Sequence, residues 1–242
     1  HEILAGRRQS VAGRVGRRGI MGTLKKAERV LLVDDHPIVR EGLRGLLAQN
    51  PEFCVCGEAR GVEDGLEALR TLRPDAAIVD LSLGRDSGLD FIAQARKEAP
   101  GCAILALSML DELTYAERAL RRGANGYVMK QEATERLVLA LHRVLEGKVF
   151  VSPLVSERLL TTLSRPAETT RYSVDRLTDR ELEIFRLLGM GVRSADIASR
   201  LGISQKTIET HRGRIKAKLG VETATELVIQ ASSWVRDGQL KA

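Results

Sequence analysis

Val30-Leu31-Leu32-Val33-Asp34-Asp35-His36 passes in one step from an uninterrupted apolar run to a pair of carboxylates. A short apolar run of that kind is the pattern of a strand buried on both faces of a parallel sheet. Strands are predicted at Val30–Val33, Phe53–Glu58, Ala76–Val79, Ala103–Leu107 and Gly126–Met129, four of them such apolar runs. Amphipathic segments alternate with them at Ile38–Leu47, Val62–Leu72, Gly88–Lys97, Leu113–Arg122 and Thr134–Leu145. Five strand–helix units over residues 27–150 predict an α/β domain with a doubly wound, five-stranded parallel sheet.

In such sheets ligands bind outside the carboxyl ends of the strands. The polar residues at those ends form a short set. Asp34 and Asp35 follow the first strand, Asp80 the third, Ser108 the fourth and Lys130 the fifth. Each alone has an ordinary structural reading, since an Asp pair after a strand usually caps a helix or makes a turn. Together they describe one crevice. Three carboxylates there repel one another unless a cation lies among them, and hard oxygen ligands suit Mg²⁺. A lysine and a hydroxyl facing the same crevice suit the remaining oxygens of a phosphoryl group.

Residues 151–173 carry Pro153, Pro166 and the polar run Glu168-Thr169-Thr170-Arg171, and read as a short helix followed by a linker. Residues 174–242 read as an all-helical domain. Thr178-Asp179-Arg180-Glu181 and Thr223-Ala224-Thr225-Glu226 are capping boxes, in which hydroxyl and carboxylate satisfy unpaired N–H groups reciprocally. On a helix from Ser204 to Leu219, Ile208, Ile215 and Leu219 fall within about 40° of one another and form a core stripe. The opposite side carries Lys206, Thr210, Gly213 and Ala217, flanked by Thr207, Glu209 and Arg214. A charged face is usually just solvated. Here it follows Ser194–Ile203, a short helix and a Gly turn, with Ser204 as the next cap, which is the helix-turn-helix pattern. A helix in that position enters the major groove of double-stranded DNA.

Bulk charge says less than its distribution. The chain has 242 residues and a formal net charge of +6. Residues 1–26 hold seven basic residues and one acid, which equals the whole excess. Residues 27–150 hold 16 basic and 20 acidic residues, and residues 174–242 hold 12 and 9. The arm 1–26 reads as disordered, with Met21 as a candidate natural start; a DNA-touching arm is the sharper alternative. No apolar run approaches the roughly 18–20 residues of a membrane span, and the first twenty residues lack a signal-peptide core. Three cysteines make no disulfide framework, and Cys54, Cys56 and Cys102 are assigned no function. A cytosolic protein without membrane association is expected. Trp234 is expected to pack between helices.

Val33-Asp34-Asp35-His36, Ile78-Val79-Asp80-Leu81, Ala106-Leu107-Ser108 and Gly126-Tyr127-Val128-Met129-Lys130 resemble the receiver domain of bacterial two-component response regulators. Leu177-Thr178-Asp179-Arg180-Glu181 through Lys218-Leu219-Gly220 resembles the LuxR-type output domain, so the chain after the arm is similar to the NarL/FixJ family. The resemblance implies a flavodoxin-like receiver phosphorylated on Asp80 by a sensor histidine kinase or a small phosphodonor. It implies Mg²⁺ on Asp35, Asp80 and the backbone carbonyl of Ser82, with Asp34 acting through water. Lys130 and Ser108 would take the phosphoryl oxygens, and Tyr127 would be the aromatic switch. Lys206, Glu209 and Thr210 would read bases, while Thr207, Arg214 and Lys218 would contact phosphates. Glu209 has a second reading, pairing with a nearby basic side chain. Phosphorylation would favour a homodimer on paired half-sites. The last helix would supply Leu227, Val228 and Ala231 to the dimer, or these residues would simply pack the core. No turnover activity is expected beyond loss of the phosphoryl group. One departure stands out: Gly84 occupies the position, four residues after Asp80, where the family usually has proline; a more mobile loop is expected, which leaves the phosphoryl lifetime open but not phosphorylation itself.

Two other functions compete. A phosphatase of the haloacid dehalogenase type needs a second carboxylate two residues after its nucleophile, and Ser82 stands there. An interaction protein or phosphate sink would need no DNA face, against which the helix-turn-helix and the net positive charge of its domain argue.

Overall fold

The structure is a computed structural model that describes residues 26–84, 86–164 and 173–239. Nearly all of the basic arm, Met21 included, and residues 165–172 of the linker lie outside the described residues.

Strands β1 (Glu28–Val33), β2 (Phe53–Ala59) and β3 (Ala76–Asp80) are followed by a two-stranded hairpin, β4 (Ser82–Leu83) and β5 (Asp86–Ser87). Strands β6 (Ala103–Ser108) and β7 (Gly126–Met129) complete the set. The main sheet is parallel throughout, in the order β2-β1-β3-β6-β7. Helices α1 (Pro37–Ala48), α2 (Val62–Leu72), α3 (Gly88–Glu98), α4 (Glu112–Arg122) and α5 (Ala133–Leu145) occupy the connections. The apolar runs of β1, β3, β6 and β7 form strands because they are covered on both sides, whereas β2, at the sheet edge, is only partly buried. One core layer holds Leu31, Val33, Ala77, Val79, Ile104 and Ala106, the other Val30, Leu32, Ile78, Leu105 and Leu107. Every residue of β3 and β6 is buried.

The order reverses beside β1: its chain leaves outward to β2, then returns to β3 on the other side. The carboxyl ends of β1 and β3 therefore flank an open crevice, since their following connections run to opposite faces. The hairpin after Asp80 is an addition to the predicted elements. Ser82 pairs with Ser87 and Leu83 with Asp86, so the loop expected to be freer is paired on both sides of its turn. Gly84 has φ +61°, in the left-handed region that proline cannot enter. At Gly88 the first turn of α3 lies so close to the Asp80 carbonyl that a side chain would collide with it.

Helix α6 (Pro153–Ser164) follows the receiver fold, and α7 (Asp179–Gly189), α8 (Ser194–Arg200), α9 (Gln205–Leu219) and α10 (Ala224–Gln239) form the second unit. Both capping boxes are present. Thr178 accepts from the Glu181 N–H while Glu181 accepts from the Thr178 N–H, and Thr223 and Glu226 do the same. Trp234 packs against Phe185, with ring centroids 5.7 Å apart. The units meet at α4. Arg118 donates to the Leu177 carbonyl at 2.8 Å and to Asp179 at 3.0 Å, and Arg122 also pairs with Asp179. Among the described residues no helix is long and apolar enough to cross a membrane.

Candidate functional site

Asp34, Asp35, His36 and Asp80 present ligand atoms within 4.8 Å of one another at the strand ends. Asp34 and Asp80 are each 3% exposed and Ser108 is fully buried. Lys130, at the end of β7, crosses the crevice and donates to Asp34 Oδ2 at 2.7 Å and Asp80 Oδ2 at 2.8 Å. The other oxygens have backbone donors: the His36 N–H on Asp34 Oδ1 at 2.8 Å, and the Ser82 N–H on Asp80 Oδ1 at 3.1 Å. Burial pushes the Asp80 carboxyl up, and Lys130 and the Ser82 N–H only partly offset it. Burial alone would pull the Lys130 ammonium down, but Asp34 and Asp80 outweigh it and hold it above its ordinary value. A charged lysine is thus the local counter-ion of two buried carboxylates.

Asp35 completes the acidic set differently. Its Oδ1 is buried without a hydrogen bond, and His36 Nδ1 lies 2.9 Å away without hydrogen-bond geometry. An unsatisfied buried carboxylate oxygen among two other carboxylates fits a hard divalent cation. Ser82 stands half-buried at the rim, at the start of the hairpin.

Ser108 and Tyr127 both hydrogen-bond to the backbone of Leu110. Ser108 Oγ accepts the Leu110 N–H at 3.2 Å, and the Tyr127 hydroxyl donates to the Leu110 carbonyl at 2.6 Å. The Tyr127 ring is already inside, 2% exposed, and burial pushes its hydroxyl well above the ordinary tyrosine value. Asp111, next in that loop, caps α4 by accepting from the Thr114 N–H. Sequence reasoning misses Leu110, and nothing in its side chain could signal a role played by its backbone.

In the second unit, Ile208, Ile215 and Leu219 are buried as the predicted stripe. Ser204 caps α9, accepting from the Thr207 N–H, and Gly220 closes it with φ +68°. Lys206, Glu209, Thr210, Gly213, Arg214 and Ala217 are exposed along one side, and Thr207 is half-exposed at the margin. Neither Lys206 nor Arg214 has an ion-pair partner among the described residues. Thr210 turns its hydroxyl back onto the Lys206 carbonyl. Glu209 takes its second reading in this structure, accepting from Arg212 at 2.8 Å, while Arg212 also reaches Ser194 of α8. Lys218 is turned inward to Glu181, a carboxylate only 3% exposed. Of the three residues assigned to a dimer contact, Leu227 and Ala231 are fully buried, and α10 packs on α7. They therefore belong to the domain core. Val228 is 36% exposed and its neighbour Ile229 is 62% exposed.

A buried acidic crevice with a lysine counter-ion, joined to a helix-turn-helix with a cationic outer face, defines a receiver coupled to a DNA-binding output domain. Residues 30–142 match the family described as "Response regulator receiver domain", and residues 175–231 match "Bacterial regulatory proteins, luxR family". The transcriptional regulatory protein MctR of Rhizobium johnstonii is 35% identical over 200 residues, covering 83% of this chain and 91% of that protein. The nitrate/nitrite response regulator NarL of Escherichia coli is 31% identical over 211 residues, covering 87% and 96%. A structure of the RcsB response regulator of Salmonella typhimurium superposes with a TM-score of 0.64 at 30% identity, covering 86% of this chain and 98% of that one. The chain belongs to this family: it is a two-component response regulator with a receiver domain and a LuxR-type helix-turn-helix domain.

Proposed function

We propose that Asp80 is the phosphoacceptor, and that its phosphorylation controls how the output domain engages DNA. The supporting observation is the clasp of Lys130 on Asp34 and Asp80 in the crevice outside the strand ends. An Asp80 carboxylate oxygen forms the new O–P bond as the bond from phosphorus to the donor breaks. The donor is a sensor histidine kinase or a small phosphodonor. Asp35, Asp80 and the Ser82 carbonyl would hold Mg²⁺, with Asp34 contributing through water. The ion would neutralise charge on the phosphoryl oxygens as they arrive. Lys130 already spans the crevice and supplies the second cation.

The same geometry suggests the route of the signal. Ser108, turning its hydroxyl to a phosphoryl oxygen, releases the Leu110 N–H, and the loop that Tyr127 holds by the Leu110 carbonyl is free to shift. Asp111 in that loop caps α4, and α4 carries Arg118 and Arg122 on Asp179 of the output unit. A local change of charge thereby biases a contact between domains. The receiver is assigned to residues 27–150, the linker to 151–173 and the output domain to 174–242. Lys206 and Thr210 are assigned to bases, with Thr207 and Arg214 to phosphates and Val228 to a homodimer on paired half-sites; Glu209 and Lys218 would reach DNA only by leaving Arg212 and Glu181. A structure of RcsB from Salmonella enterica bound to promoter DNA in the presence of phosphomimetic BeF₃⁻ supports the pairing of these two events, at 30% identity and a TM-score of 0.61.

The test is phosphoryl uptake from a small labelled phosphodonor with Mg²⁺, by wild type and Asp80→Asn, followed by DNA binding of each. Labelling lost with Asp80→Asn, together with phosphorylation-dependent DNA affinity, is expected. Equal labelling of the two proteins overturns the site.

A further inference from the structure

Arg40 breaks the apolar stripe of α1. It shares the buried face with Leu43 and Leu47 and is 5% exposed. A guanidinium so placed must be paired. Arg40 Nη1 donates to the backbone carbonyl of Asp34 at 2.6 Å, and Nε donates to Glu58 of β2 at 2.8 Å. Arg44, one turn further along, also lies 3.4 Å from Glu58. The Asp34 carbonyl belongs to the peptide that joins Asp34 to Asp35. Fixing that carbonyl fixes the plane from which Asp35 departs, at the turn where β1 ends.

We infer that Arg40 is a positioning residue for the acidic crevice: its fork, anchored on Glu58, holds the Asp34–Asp35 peptide so that the Asp35 carboxylate meets the divalent cation. The inference rests on the Mg²⁺ reading above. Planarity is essential, because one rigid group must donate in two directions, and a lysine ammonium at the end of a flexible stem has no such fork. Charge and position predict opposite outcomes. Removing a nearby positive charge alone strengthens the attraction of three carboxylates for a cation. Losing the fixed peptide weakens it.

The experiment is isothermal titration of the full chain with Mg²⁺ for wild type, Arg40→Lys, Arg40→Gln, Glu58→Gln and Asp35→Asn, with thermal unfolding of each metal-free protein alongside. Partners of metal ligands typically contribute about 10–100-fold to affinity. Arg40→Lys and Arg40→Gln are expected to weaken Mg²⁺ binding about tenfold, and Glu58→Gln a few-fold. Saturating Mg²⁺ should restore phosphoryl uptake in all three. Glu58 is partly exposed, so Glu58→Gln keeps the test alive if an Arg40 variant does not fold. Wild-type Mg²⁺ affinity in folded Arg40→Lys and Arg40→Gln, or tighter binding by Arg40→Gln, overturns the inference while leaving the Mg²⁺ site standing. Wild type that binds no Mg²⁺, or binds it unchanged after Asp35→Asn, overturns the metal reading itself.

Discussion

Lys130 and Lys206 are both proposed to meet phosphate-bearing or nucleic-acid partners, yet they stand in opposite surroundings. Lys130 is held between two carboxylates whose side chains are almost wholly buried. Lys206 stands exposed on a helix face and has no ion-pair partner among the described residues. In the crevice, Lys130, two backbone N–H groups and Arg40 all bond to the carboxylates and their backbone. The exposed face of α9 is supported from behind by Ile208, Ile215 and Leu219, and the helix is ordered by its caps. Buried charge must be compensated inside the protein, because desolvation is costly. Exposed charge keeps its water until a partner arrives. Stability and function are therefore coupled in the first region and separable in the second.

The largest effect should fall on the crevice. Lys130→Met strips two buried carboxylates of their counter-ion, and the metal-free protein should lose about 3–5 kcal/mol in denaturant unfolding, with Mg²⁺ restoring part of it. A loss no larger than that of an exposed lysine would break the contrast. Next, Lys206→Ala should weaken specific DNA binding by about 1–3 kcal/mol while changing stability by no more than about 0.5 kcal/mol. Affinity on a selected target sequence and an unfolding curve check both halves. A smaller effect probes Glu181, a buried carboxylate behind α9. Although burial alone would raise it, Lys218 and the Thr178 N–H hold the Glu181 carboxyl below its ordinary value of 4.5. The stability it contributes is full above that value and lost as pH falls through the lowered one. Glu181→Gln should flatten this acid window at a cost of about 1 kcal/mol near neutrality, read from the fluorescence of Trp234. The smallest is Arg214→Ala: its unfolding should match wild type, and the salt dependence of DNA binding should lose about one unit of slope.

Legibility follows the same division. Four of the five sheet strands are readable because burial on both faces demands continuous apolar runs, and the ends that carry Asp34, Asp80, Ser108 and Lys130 are fixed by where those runs stop. The caps Thr178 and Ser204 are readable because capping is local chemistry. The hairpin after Asp80 is not, since two-residue strands leave no periodic trace. Arg40 offers one signal, a charge within the buried stripe of α1, but its partners come from β1 and β2. Leu227 and Ala231 are ambiguous because an apolar stripe on a terminal helix looks the same against its own domain or against a second copy.

The order of strands and helices, the acidic residues at the strand ends and the polar outer face of α9 were all set at the level of the chain. They depend on periodicity and chain direction, which neighbouring residues encode. Three-dimensional packing alone settled that Lys130 bridges Asp34 and Asp80, that Leu110 joins Ser108 to Tyr127, and that Lys218 turns to Glu181 rather than outward. Such contacts link residues far apart in the chain or through the backbone. Which of several possible partners a long polar side chain takes depends on the packing that brings them within reach.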